Sequence, residues 1–154
     1  VSGFWIKPLK APSRVVITAT EADLEYTGTE MPYALTDLLA GDGEHASLED
    51  VDGDGSVSLL DLYLSVNLEI HGRFQALERL QTEHASLDDN GDGRGSEVQL
   101  AYMPVEEEDE DDEAEDEEPA ELVDEPTSEL PKPISNRNLD GFRSRHILLK
   151  ADRT

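Results

Sequence analysis

The sequence contains no cysteine, which excludes a disulfide framework, a thiolate metal site and a cysteine nucleophile within this chain. Basic residues are scarce, 12 Lys and Arg against 37 Asp and Glu, for a formal net charge of −25. The phosphate-neutralising cations that dominate binding to nucleic acid and anionic membranes are therefore missing, and neither is expected as a partner. No run of about 18 apolar residues is present for a membrane span. The first residues, VSGFWIKPLK, lack the charged-then-apolar pattern of a signal peptide and do not begin with Met. The chain reads as a processed product or a fragment that starts inside a larger fold. There is no Gly-rich phosphate loop and no HExxH spacing among the four histidines.

What the sequence has in excess is acid, and it is concentrated. Twelve of the 13 residues from Glu106 to Glu118 are acidic, and Glu121, Asp124, Glu125 and Glu129 extend the run. Residues 105–131 combine this like charge with low hydrophobicity and prolines at 119, 126 and 131, so burial cannot offset chain entropy and disorder is expected. The chain then turns basic. Lys132, Arg137, Arg143, Arg145, Lys150 and Arg153 face only Asp140 and Asp152. Three segments follow: a folded part over 1–103, an acidic linker over 104–131 and a basic tail over 132–154. Charge runs are usually solvated, so linker and tail are expected in solvent; the alternative is a folded-back contact, favoured by the opposite signs of linker and tail, with Ile147-Leu148-Leu149 as a short apolar patch suited to docking on the domain.

Apolar patterning is confined to the folded part, whose roughly 100 residues suffice for one modest core. Ser13 to Thr20 is rich in β-branched residues without alternation, which reads as a strand covered on both faces, as in a parallel sheet. Met31 to Ala40 reads as a short helix, with Pro32 in its first turn, Leu35, Leu38 and Leu39 on one face, and Gly41 as a stop. A long helix is predicted from about Ser58 to Leu80. Its stripe is Leu59, Tyr63, Val66, Ile70, Phe74 and Leu77, widened by Leu60 and Leu64. Strand followed by helices gives the α/β class.

The sharpest local signal is Asp50-Val51-Asp52-Gly53-Asp54-Gly55-Ser56-Val57-Ser58-Leu59-Leu60-Asp61. Calcium is a hard cation that takes six to eight oxygens, and a twelve-residue EF-hand loop supplies them from positions 1, 3, 5, 7, 9 and 12. These fall on Asp50, Asp52, Asp54, the carbonyl of Ser56, Ser58 and Asp61. Gly55 takes the sharp turn at position 6, and Val57 is the apolar residue at position 8. Position 12 is Asp rather than Glu, whose shorter side chain weakens a bidentate contact and suits a calcium-rich exterior or periplasm. The entering helix is not contiguous. A competing reading is a polar turn in which Ser58 caps the long helix and Asp61 completes an S-x-x-D arrangement. A second stretch, Asp88-Asp89-Asn90-Gly91-Asp92-Gly93, begins the same way but continues to Gly95 and neutral Gln99 where an apolar residue and an acid are needed. It is expected as a structural turn, with Glu97 as a low-affinity substitute. His71 is expected on a helix face, His84 in packing or hydrogen bonding, and Ser2-Gly3 has no neighbouring base.

Taken together, Arg14-Val15-Val16-Ile17-Thr18-Ala19-Thr20, the Asp-Gly loop, and Thr82-Glu83-His84-Ala85-Ser86-Leu87-Asp88-Asp89-Asn90-Gly91-Asp92-Gly93 resemble the C-terminal part of bacterial caspase-like proteins related to legumain, over roughly residues 1–100. The resemblance implies part of a caspase-type α/β sandwich whose catalytic His and Cys lie upstream of Val1, so no catalytic residue carries over. The expectation is a non-catalytic fragment that binds Ca2+ through Asp50, Asp52, Asp54, Ser56, Ser58 and Asp61, with the upstream part of the same fold as its other partner. The alternative is the small C-terminal portion of a cysteine peptidase, active only with that upstream half.

Overall fold

The structure, a computed structural model, describes residues 2–20, 29–40, 48–95 and 136–149. A 3-10 turn at Gly3–Trp5 runs into a one-turn helix α1 (Ile6–Leu9), followed by strand β1 (Val16–Thr18), helix α2 (Met31–Ala40), helix α3 (Leu59–Ala76), strand β2 (Ser86–Asp88) and a 3-10 turn at Ser144–His146. The architecture is mixed α/β, with a small sheet and two principal helices. None of the described helices is long and apolar enough to cross a membrane.

The sheet corrects the sequence expectation. β1 has three residues rather than the eight of Ser13–Thr20, and it pairs antiparallel with β2 in the register Val16↔Asp88, Ile17↔Leu87 and Thr18↔Ser86. Local geometry trims it at both ends. Ser13 stands at φ 67, a left-handed conformation that does not continue a strand. At the other end the Ala19 amide donates to Ser2 Oγ at 2.9 Å, and Thr20 Oγ1 accepts the Ser2 amide at 2.9 Å and the Gly3 amide at 3.3 Å. Ser2 is thus a tie between the first turn and the end of β1. The partner strand escaped the sequence reading because Ser86-Leu87-Asp88 offers one apolar residue to a pattern search, although all three are buried.

α2 occupies the expected residues. Its first amides, those of Glu30 and Met31, are satisfied by the buried carboxylate of Glu83, a long-range cap for the donors that every helix start leaves open. Its buried face is Ala34 and Leu38, with Leu35 half-buried and Leu39 in solvent at 61% exposure, so the expected inclusion of Leu39 in that face is corrected. α2 packs on α3, and Arg73 of α3 ties the two by ion pairs to Asp37 and Glu30 while also bonding Glu69 one turn back.

α3 is the axis of the molecule. It begins at an N-cap Ser58 with a complete capping box to Asp61, and every residue from Leu60 to Asn67 is buried. The buried polar residues of this helix bond inward, although Asn67 Oδ1 is left without a partner. Asn67 Nδ2 donates to the Tyr63 carbonyl at 2.9 Å, and the Tyr63 hydroxyl donates to the Ala85 carbonyl at 2.8 Å, which joins the helix to the chain entering β2. Ala34, Leu38, Leu60, Leu62, Tyr63, Leu64, Val66, Ile70, Phe74, Ala85 and Leu87 form one core. The helix ends at Ala76 rather than near Leu80. Past Phe74 the stripe leaves the core, with Leu77 and Leu80 54% and 89% exposed, and Glu78 turns left-handed at φ 51.

The expected linker over 104–131 lies outside the described residues. Residues 136–149 of the tail are described, and they do not project into solvent as expected. They form a strap across the domain, held by polar ties rather than by its apolar patch: Ile147, Leu148 and Leu149 keep 39%, 61% and 42% of their surface exposed. Ser58 and Leu148 form an antiparallel bridge, in which the Leu59 amide donates to the Ile147 carbonyl at 2.8 Å and the Leu149 amide to the Val57 carbonyl at 2.9 Å. Further along, two buried aspartates exchange places. Asp89 accepts the Gly141 and Ser144 amides at 3.1 and 2.6 Å, and Asp140 accepts the Asp89 and Asn90 amides at 2.8 and 3.2 Å.

Candidate metal centre

The loop entering α3 is shaped by its own side chains. Short acidic residues reach backbone amides two to five positions on, which replaces the ladder a regular element would supply. Asp50 Oδ1 accepts the Asp54 amide at 3.1 Å and its Oδ2 the Gly55 amide at 2.7 Å. Asp52 Oδ1 also accepts from the Asp54 amide, at 3.2 Å, and Asp54 Oδ1 accepts the Ser56 amide at 3.0 Å. Gly53 and Gly55 stand at φ 69 and 88, the left-handed region that glycine enters without steric cost, and these two residues let the chain coil around a point. Carboxylate oxygens of Asp50, Asp52 and Asp54 consequently lie within 4.8 Å of one another. Among the described residues no other group of three or more His, Asp or Glu side chains does this.

Within this group Asp52 is the anomaly. It is 1% exposed, its Oδ1 has the Asp54 amide, and its Oδ2 is buried without a hydrogen-bond partner. An unpartnered buried carboxylate oxygen is costly. Burial, followed by the neighbouring Asp61 and Asp54 charges, pushes the Asp52 carboxyl up to about 6 from 3.8. Three converging acids with one orphaned oxygen are a donor set that a hard cation would satisfy.

The six sequence-derived ligands do not all share that position. Asp50, Asp52 and Asp54 come together. Ser56 takes part through its amide, which donates to Asp54. Ser58 and Asp61 are committed elsewhere. Asp61 is fully buried, its Oδ1 accepting the Val51 and Asp52 amides at 2.7 and 3.2 Å and its Oδ2 accepting the Ser58 amide and hydroxyl, both at 2.7 Å. Four donors fill the roughly four lone-pair sites of a carboxylate. Asp61 therefore locks the start of the loop to the start of α3, so the capping geometry and the acid cluster coexist as adjacent halves of one loop. Val57 at position 8 is half-buried, and its carbonyl receives the strap.

One residue at the site was missed. Arg145, on the strap, donates from Nη2 to Asp54 Oδ2 at 3.2 Å, with the two side chains only 18% and 13% exposed. The opposite charges of tail and loop were a signal for it, but the sequence offered a far larger acidic target in the linker, and 91 residues separate the partners.

The second Asp-Gly stretch adopts the same turn. Asp88 accepts the Gly91 and Gly93 amides at 2.7 and 2.9 Å, Asn90 Oδ1 the Asp92 amide at 2.8 Å, and Asp92 Oδ1 the Arg94 amide at 2.7 Å. Asn90 uses its amide to reach the Asn138 carbonyl of the strap at 2.9 Å. Glu97 and Gln99 lie outside the described residues. Among the histidines, His71 Nδ1 pairs with Gln81 Oε1 at 2.8 Å and His146 Nδ1 with the Phe142 carbonyl at 2.7 Å; His84 is also engaged, and His45 lies outside the described residues. Compared with protein families, curated proteins and solved structures, the chain matches none.

Proposed function

We propose that the chain is a calcium-binding module in which Asp50, Asp52 and Asp54 supply the carboxylate ligands, within a non-catalytic piece of a caspase-like protein. The observation that carries the metal reading is the buried, unpartnered Oδ2 of Asp52 in a group of three converging acids. A hard divalent cation offsets the mutual repulsion of the three charges and gives that oxygen a partner. Glycines at positions 4 and 6 and an all-oxygen donor set favour calcium over softer ions, which take nitrogen or sulfur. The Ser56 carbonyl and water complete the shell, while Asp61 holds the loop in shape from outside it.

The family reading rests on the segments Arg14–Thr20 and Thr82–Gly93, together with the mixed α/β architecture. The peptidase alternative turns on whether the reading frame upstream of Val1 encodes a His and a Cys in caspase-like spacing.

Calorimetric titration of the full chain with calcium tests the metal reading, with Asp52→Asn as the reference that subtracts any loose uptake by the acidic run over 106–129. The expected result is one saturable equivalent present in the wild type and missing from Asp52→Asn. Superimposable titrations would refute the site.

A further inference from the structure

The strap carries a cation of its own into this loop. Asp54 has Oδ1 taken by the Ser56 amide at 3.0 Å, so Oδ2 is the oxygen left for a ligand, and that is the oxygen Arg145 Nη2 occupies at 3.2 Å. The pair sits where solvent screens it little, with side chains 18% and 13% exposed. Arg145 does not arrive by a loose tail. The residues after it are pinned by the bonds joining Ile147 and Leu149 to Leu59 and Val57, and those before it by the Asp89 bonds to Gly141 and Ser144. The guanidinium is therefore presented to the loop at a fixed place, with its ordering entropy already spent by neighbouring ties.

Resting on the calcium reading above, the geometry points to Arg145 as a built-in competitor for the ion: it neutralises Asp54 in the metal-free loop and is displaced from Oδ2 when calcium binds. A doubly charged ion at about 2.3–2.6 Å from that oxygen and a guanidinium at hydrogen-bond distance from the same atom repel each other across a partly buried site. Calcium must then replace an existing interaction rather than fill an open one. The backbone ties of the strap do not involve Asp54 and remain in place. Arg145 thus sets the calcium concentration at which the loop fills, raising it above what the three acids alone would give, while Asp52, whose Oδ2 has no hydrogen-bond partner, keeps the need for a cation.

The test compares calcium affinity of the full-length wild type and Arg145→Gln by calorimetry, with the guanidinium NMR signals of Arg145 followed in the wild type during the same titration. Arg145→Gln is expected to bind calcium about tenfold more tightly, the scale of a partly buried charge pair, and in the wild type calcium is expected to shift the Arg145 guanidinium signals as the Asp54 contact is lost. Equal or weaker binding by a folded Arg145→Gln overturns the competition while leaving the metal site intact. If that variant fails to fold, the wild-type signals decide alone, since an Arg145 unmoved at saturating calcium also overturns it. A wild type that takes up no more calcium than Asp52→Asn removes the metal reading itself, and the competition with it.

Discussion

The loops at 50–56 and 88–94 have nearly the same backbone scaffold and different contents. In each, the first aspartate bonds the amide five residues on, and the third and fifth residues each bond the amide two residues on. Glycines at positions 4 and 6 are left-handed in both, at φ 69 and 88 in the first and 82 and 79 in the second. The difference lies in position 3. Asp52 brings a second carboxylate oxygen into a buried place and leaves it without a partner, whereas Asn90 brings an amide that reaches the strap. Burial differs as well, since Asp54 is covered by the strap and Asp92 is exposed. One turn geometry thus serves two ends: a concentration of negative charge in the first loop, and a clasp for the C-terminal segment in the second.

Removing the keystone of the first loop should have the largest effect. Asp61→Ala leaves three amides, two of them buried, and the Ser58 hydroxyl without their acceptor and breaks the cap of α3, so metal-free stability should drop by about 3 kcal/mol or more in urea unfolding. An unchanged midpoint would mean that the loop is held by something other than Asp61. Calcium comes next. At about 100 times its Kd the ion should add roughly 2.7 kcal/mol to the wild type, seen as a rise in Tm that Asp52→Asn abolishes.

Glycine substitutions sharpen the contrast between the two scaffolds. A Cβ at Gly91 would stand 3.0 Å from the Ala11 carbonyl oxygen, which is backbone and cannot swing away, whereas nothing lies within 4 Å of one at Gly55. Both positions carry the left-handed penalty, so Gly55→Ala should cost about 1 kcal/mol and Gly91→Ala about 2 or more, read as the shift in denaturation midpoint. Equal costs would show that the second loop can move off the chain beneath it.

The smallest effects concern position 3 itself. Asp52→Asn keeps the Oδ1 acceptor and removes a buried charge, so without calcium it should stabilise the fold by about 1 kcal/mol. The sign also shows in pH. The Asp52 carboxyl is at about 6 when folded against 3.8 in its ordinary state, so between these values the folded chain holds more protons than the unfolded one, and the contribution to metal-free stability falls as pH rises through that window. Stability of the wild type relative to Asp52→Asn should therefore decline from about pH 4 to about pH 6 and level off above it; a flat difference would mean that the orphaned oxygen is solvated. Conversely, Asn90→Asp breaks the bond to Asn138 and should cost about 1 kcal/mol without adding a second equivalent of bound calcium, because Asp92 is exposed and both oxygens of Asp88 are taken by the Gly91 and Gly93 amides.

Local chemistry was legible in the sequence wherever a short stretch decides its own shape. The bounds of α2, the Ser58 cap of α3 and the Asp-Gly turns follow from residue types a few positions apart. What stayed hidden were pairings between distant residues. β2 has too little apolar patterning to announce itself, and the cap on α2 comes from Glu83, 52 residues beyond Met31. The strap, read as solvated, is held by Asp89 and Asp140, two residues that charge counting treats as surface acids, although both are buried at 1% and 0% exposure.

The sequence by itself determined that acids and glycines alternate at ligand spacing ahead of a helix, because the bonds that shape such a turn run between neighbours. Tertiary structure decided which acids face one another and what else reaches them. Asp61 holds the loop together because the amides of Val51 and Asp52 fold back onto it, and Asp54 acquires Arg145 because a segment 91 residues away crosses the loop. Charge in a sequence is only a count; burial and the company each carboxylate keeps decide whether it is solvated, satisfied or left waiting for a cation.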